Sequence, residues 1–123
     1  MNKVQEIINS LQSNSFSIRD LEQYLGSPIL LIKVNAIIAV LRERISDENI
    51  IFKLNCIAQN IQHEPKVIGE WNTGHYAMAV LDLLNTVDTR DMYDNNMNKL
   101  DAYTQRGVEM LSEQIACELK IDK

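Results

Sequence analysis

Ser27-Pro28-Ile29-Leu30-Leu31-Ile32-Lys33-Val34-Asn35-Ala36-Ile37-Ile38-Ala39-Val40-Leu41-Arg42-Glu43-Arg44 is the stretch on which the fold turns. Leu30, Val34, Ile37, Ile38 and Leu41 line one face of a helix with 3.6 residues per turn, and Ile29, Ile32, Ala36, Ala39 and Val40 occupy much of the rest. A helix that is apolar nearly all round is buried nearly all round. The expectation is a central helix over about Pro28 to Arg44, with Ser27 as N-cap, Pro28 in the first helical position, and Arg42 and Arg44 suiting its C-terminal end. Val34, Ile37, Ile38 and Leu41 are its expected inaccessible residues.

Working outward, the preceding chain reads as two short helices. Val4, Ile7, Ile8 and Leu11 mark the first, and Ser13-Asn14-Ser15 ends it by competing for backbone hydrogen bonds. Ser17 to Asp20 has the form of a capping box opening the second. Ile18, Leu21, Tyr24 and Leu25 form the apolar face of that helix, and Gly26 offers a left-handed end. After the central stretch, Ser46-Asp47-Glu48 starts a fourth helix with Ile50, Leu54, Ile57, Ala58 and Ile61 inward. His63-Glu64-Pro65 stops it. A fifth helix is expected from near Pro65, interrupted around Asn72-Thr73-Gly74, and running best from Thr73 through Leu84. The last helix is expected to be long, about Arg90 to Lys120, with a weak point at Asp94-Asn95-Asn96. Tyr93, Met97, Leu100, Val108, Leu111, Ile115 and Leu119 form its inner arc, and Gly107 lies on or near that arc. The fold class is therefore all-α: about six helices in three antiparallel pairs within one domain, either a stacked solenoid or an irregular bundle.

Composition agrees. The chain has 123 residues, 46% of them apolar, but only four Gly and two Pro, too few turn residues for many short strands. Cys56 and Cys117 are far apart among apolar neighbours and read as small core residues, with neither a disulfide framework nor a zinc site implied. No apolar run approaches membrane-span length, and residues 1–4 do not open a signal peptide, so cytoplasmic residence is expected. The net charge of −5 is lopsided. Residues 1–62 carry six basic and six acidic side chains, whereas residues 63–123 carry six basic and eleven acidic. An acidic surface repels phosphate backbones, which argues against nucleic acid and toward a protein partner with a basic surface. Acidity for solubility alone is the competing account.

An internal echo adds to the helical reading. Ile32-Lys33-Val34-Asn35-Ala36-Ile37 is matched twenty residues on by Phe52-Lys53-Leu54-Asn55-Cys56-Ile57. Ser27-Pro28, Ile32-Lys33, Ala36 and Ala39-Val40-Leu41 resemble the pattern of HEAT-type helical repeats over about residues 18–85. The resemblance implies an α-solenoid of stacked helix pairs that binds other macromolecules on an open surface.

Chemistry-bearing motifs are sparse. His63 sits at a turn and His75 near a helix start, without metal-ligand spacing, and the four Gly are isolated rather than gathered in a phosphate loop. No cofactor, metal or catalytic residue is expected. Two surface candidates stand out. Trp71 to Tyr76 is a polar–aromatic segment at a helix interruption, in which Trp71, His75 and Tyr76 serve either as a functional loop or as a cap on the core. On the last helix, Asp94, Asp101, Glu109 and Glu113 form an acidic stripe beside Tyr103 and Met110, either an interface or a solvated face. The expected function is a small protein-binding module, more narrowly a bacterial immunity protein that neutralises a basic toxin. The alternatives are a scaffold or regulatory adaptor in a larger assembly and a helical bundle that binds a small molecule near Trp71 and His75. Oligomeric state is left open.

Overall fold

In the computed structural model, which describes residues 3–69 and 71–122, the chain is all-α with a small hairpin. Seven helices occur among the described residues, not six: α1 (Lys3–Gln12), α2 (Ile18–Leu25), α3 (Leu30–Arg42), α4 (Glu48–Gln59), α5 (Thr73–Leu84), α6 (Val87–Met97) and α7 (Ala102–Leu119). Two short antiparallel strands, β1 (Lys66–Ile68) and β2 (Trp71–Asn72), join α4 to α5.

The helix starts follow their caps. Ser17 and Asp20 form the expected reciprocal box at α2. Asp47, within the expected Ser46-Asp47-Glu48 start, accepts the backbone N–H groups of Asn49 and Ile50 at α4. α3 begins later than its sequence suggests. Ser27 Oγ accepts the Ile29 N–H at 3.1 Å, which stabilises a turn over Pro28 and leaves Ile29 as a cap without a side-chain bond. Gly26 ends α2 at φ −95°, so its expected left-handed conformation does not occur, and the last turn closes through its N–H instead.

Two further expectations are corrected. Residues 66–68 and 71–72 are strands, not the start of a fifth helix, because the helix N-terminus is built at Asn72. Asn72 Oδ1 accepts the His75 N–H, His75 Nδ1 accepts the Asn72 N–H, and Asn72 Nδ2 donates to the Ile61 carbonyl at 2.6 Å. The long final helix is two helices. Asp101 caps α7 by accepting the Thr104 N–H at 2.7 Å, and Gln105 Nε2 reaches back to the Met97 and Leu100 carbonyls that α6 leaves unpaired. The break falls after Met97, beyond the Asp94–Asn96 weak point.

The most buried element is α5, not α3. Every residue of α5 except Asp82 is buried, whereas in α3 Ile37 and Leu41 are inaccessible but Val34 and Ile38 are only partly covered. Packing explains the difference. α5 contacts α3, α4, α6, α7 and β2, so it is enclosed on all sides. The partners fall into two rows: α1, α3, α5 and α7 pack in succession, α2, α4 and α6 do likewise, and α2–α3, α4–α5 and α5–α6 contacts join the rows. Both cysteines are exposed, contrary to the core reading, because each lies one position off its helix's apolar stripe. No helix among the described residues is long and apolar enough to cross a membrane.

Candidate functional site

The hairpin and α7 face each other across an open cleft of about 390 Å³. Trp71 from β2 and His75 from the first turn of α5 form one side. Tyr103, Arg106, Gly107 and Met110 from α7 form the other. These four follow the i, i+3, i+4, i+7 spacing of a single helix face. Tyr103 is 68% exposed and Met110 51%, unusual exposure for large apolar side chains on an ordered helix. Two candidates that the sequence presents as separate, the Trp71 segment and the Tyr103–Met110 pair, thus meet in one place.

The walls are held by polar bonds behind them. Glu64, at the foot of the hairpin, accepts from Lys33 Nζ at 2.7 Å, from Asn60 Nδ2 at 2.6 Å and from the Thr73 hydroxyl. Burial alone would raise the Glu64 carboxyl, but these hydrogen bonds and the Lys33 charge outweigh it and hold the group below its ordinary value. α7 is fixed to α5 through Ser112 Oγ, which donates to Asp82 Oδ2 at 2.6 Å. Asp82 Oδ1 in turn receives Arg90 Nη2 of α6 at 2.7 Å, and the Arg90 guanidinium stacks over the Tyr93 ring at 5.0 Å. Burial, reinforced by the charges of Asp82 and Glu109, pushes the Tyr93 phenol up to about 12.

His75 has a defined chemical role in this arrangement. A backbone N–H can only donate, so the bond from Asn72 N to His75 Nδ1 at 3.1 Å requires a lone pair on Nδ1. Nδ1 also lies 3.1 Å from Asn72 Oδ1, to which it could only donate, so the tautomer follows the partner that Nδ1 serves. Burial lowers the His75 pKa, which favours the neutral ring. With Nδ1 as acceptor of the Asn72 N–H, the ring presents an N–H donor at Nε2.

The remaining sequence candidates are distributed differently. Tyr76 is buried and is not among the residues that line the cleft, and burial together with the Glu118 charge raises its phenol. Asp101 serves as the α7 cap, and hydrogen bonds from the Thr104 backbone and side chain lower its pKa. Asp94 lies on α6, 4.0 Å from Arg90. Glu109 and Glu113 are exposed on α7, each three residues beyond a cleft residue. The acidic residues therefore lie on two helices, Asp94 on α6 and Asp101, Glu109 and Glu113 at or on α7, rather than along one. Arg106 and Gly69 escape the sequence reading as site residues, although the Tyr103–Met110 spacing places Arg106 on the same face. A second concavity of about 430 Å³ lies between α4 and α6, with Phe52 65% exposed beside it. No group of His, Cys, Asp and Glu among the described residues could hold a metal ion. No family model matches the chain, and no curated protein or solved structure matches it either.

Proposed function

We propose that this chain is a protein-binding module whose contact surface is the cleft between the hairpin and α7 together with the outer face of α7. The carrying observation is the pair of large exposed side chains, Tyr103 and Met110, standing at a cleft walled by the lone Trp. Aromatic and Met side chains around a concavity are the usual anchors of an interface. Glu109 and Glu113, exposed on α7 and each three residues beyond a cleft residue, favour a partner with basic groups around its anchoring side chain. Neutralisation of a basic toxin is the narrower form of this reading, supported by the concentration of net charge in residues 63–123. A HEAT-like stack is its architectural counterpart, supported by the two rows of successively packed helices.

The test compares capture of interacting proteins by the parent chain and by the Tyr103→Ala/Met110→Ala double variant, with circular dichroism to confirm that both are folded. A partner held by the parent should be lost or markedly depleted from the variant. With that partner purified, Tyr103→Ala should raise the dissociation rate, while Glu109→Lys/Glu113→Lys should slow association and flatten its salt dependence. Asp101 is unsuited to charge reversal because it caps α7. Equal capture by both baits would remove the interface from this cleft.

A further inference from the structure

We infer that the cleft receives an apolar body that ends in a carboxylate. This deepens the binding proposal and rests on the same cleft being a contact site.

The polar groups of the described lining are chiefly hydrogen-bond donors. Trp71 Nε1–H and Arg106 donate only, His75 offers Nε2–H in the tautomer whose Nδ1 accepts the Asn72 N–H, and the Tyr103 hydroxyl can donate or accept. No carboxylate is present among the described lining residues. Neither Trp71 Nε1 nor His75 Nε2 has an acceptor among the described residues, and Arg106 has no ion pair there, although Glu109 and Glu113 follow on the same helix. A chain of net charge −5 thus gathers a guanidinium, an indole N–H and an imidazole edge in one concavity.

Gly107 marks the point on which they converge. A Cβ placed there would lie 3.5 Å from His75 Nε2 and 3.8 Å from Trp71 Nε1. Both distances are ordinary contacts, so packing does not forbid a side chain at this position. A glycine inside an 18-residue helix is nonetheless costly relative to alanine. What the glycine leaves is room for a methyl group beside both ring nitrogens. An acceptor at the edge of that gap would lie close to both, and Arg106 supplies the planar fork that suits a carboxylate. Trp71, Tyr103 and Met110 supply apolar walls for the body that carries it. A dianionic phosphate fits less well, because its second charge adds to the repulsion from Glu109 and Glu113, which follow on the same helix.

The chain has one Trp, and it lines the cleft, so its fluorescence reads occupancy directly. The whole chain is titrated with 3-phenylpropionate, with the matched amide 3-phenylpropanamide and with the matched cation 3-phenylpropylamine. The acid should give a saturable change, the amide should bind about tenfold more weakly or less, and the amine should not compete. Arg106→Gln should weaken the acid about tenfold and leave the amide nearly unchanged, while Gly107→Ala should weaken both and raise the melting temperature. An amine that binds as well as the acid, an acid with no saturable effect at millimolar concentration, or an Arg106→Gln variant that binds the acid like the parent each overturns the inference. A basic peptide ending in Phe, with a free or an amidated terminus, identifies the source. Tighter binding of the free-terminus peptide than of the free acid assigns the group to a protein chain, and the reverse order assigns it to a small molecule. The titration contains no partner protein, so loss of acid binding and loss of partner capture by the double variant are separate results.

Discussion

Gly74 and Gly107 both lie beside the first turn of α5, and they have opposite reasons to be small. A Cβ on Gly74 would stand 2.5 Å from Ile61 Cα and 2.9 Å from Asn72 Oδ1, so the turn after α4 and the start of α5 touch backbone to backbone. A Cβ on Gly107 would meet the edges of His75 and Trp71 at ordinary distance. One side of this turn is a closed joint, filled by Ile61, Asn72, Thr73 and Glu64. The other side is an open wall of the cleft. The joint makes the wall rigid: the Asn72–His75 bonds that end the strand and start the helix also fix the plane of the ring that faces α7. Smallness alone does not identify function, whereas smallness that packing does not require points to space kept for something else.

The contrast can be broken by mutation, beginning with the largest expected effect. Leu81 is fully buried in α5. Leu81→Ala should lower stability by about 2–5 kcal/mol in urea denaturation. A loss below about 1 kcal/mol would place α5 at the periphery rather than at the centre. Gly74→Ala should cost about 1–3 kcal/mol through overpacking, even though alanine is the better helix former. A neutral result would mean that the Ile61 contact has slack. At Gly107 the sign should reverse: Gly107→Ala is expected to stabilise by about 0.5–1 kcal/mol while narrowing the cleft. Equal effects at the two glycines would dissolve the distinction.

The closed joint also carries a pH signature. The Glu64 carboxyl is held below its ordinary value of 4.5, so the folded state binds that proton more weakly than the unfolded chain does. Its contribution is complete above pH 4.5 and is lost as pH falls through the depressed folded value. Glu64→Gln should therefore flatten the acid limb of the stability–pH profile below pH 4.5, measured by thermal melts across that range. An unchanged acid limb would mean that other carboxylates set it.

Much of the helical framework is legible in the chain. The Ser17–Asp20 box, the α4 stripe and the strong helix from Thr73 all stand where their residues place them. The misjudged elements have physical reasons. α3 looks central because it is apolar, yet Ile29 and Leu31 beside its inner face remain 42% and 54% exposed. α5 begins with Thr73 and His75, which disguise burial that only tertiary enclosure produces. The hairpin is too short for an alternating pattern, and the α6–α7 break contains neither Gly nor Pro, being made by the Asp101 cap and the reach of Gln105. The cleft was half visible. Trp71, His75, Tyr103 and Met110 draw notice individually, but nothing local says that residues 71–75 and 103–110 will face one another. Arg106 looks like any solvated helix cation until the chain folds around it.

The position of α7 in its row has a consequence for motion. It packs chiefly on α5, with the Ser112–Asp82 bond and the Gln105 contacts as its polar ties. A terminal helix held on one side opens locally at a lower free energy than the enclosed helix beside it, and its amide hydrogens should exchange faster than those of α5. An occupant of the cleft bridges β2 and α5 to α7, and so must be released before α7 can lift away. Binding there would slow α7 exchange selectively, by up to about 2.7 kcal/mol in opening free energy at a hundredfold excess over Kd, and leave α1 and α2 exchanging as before.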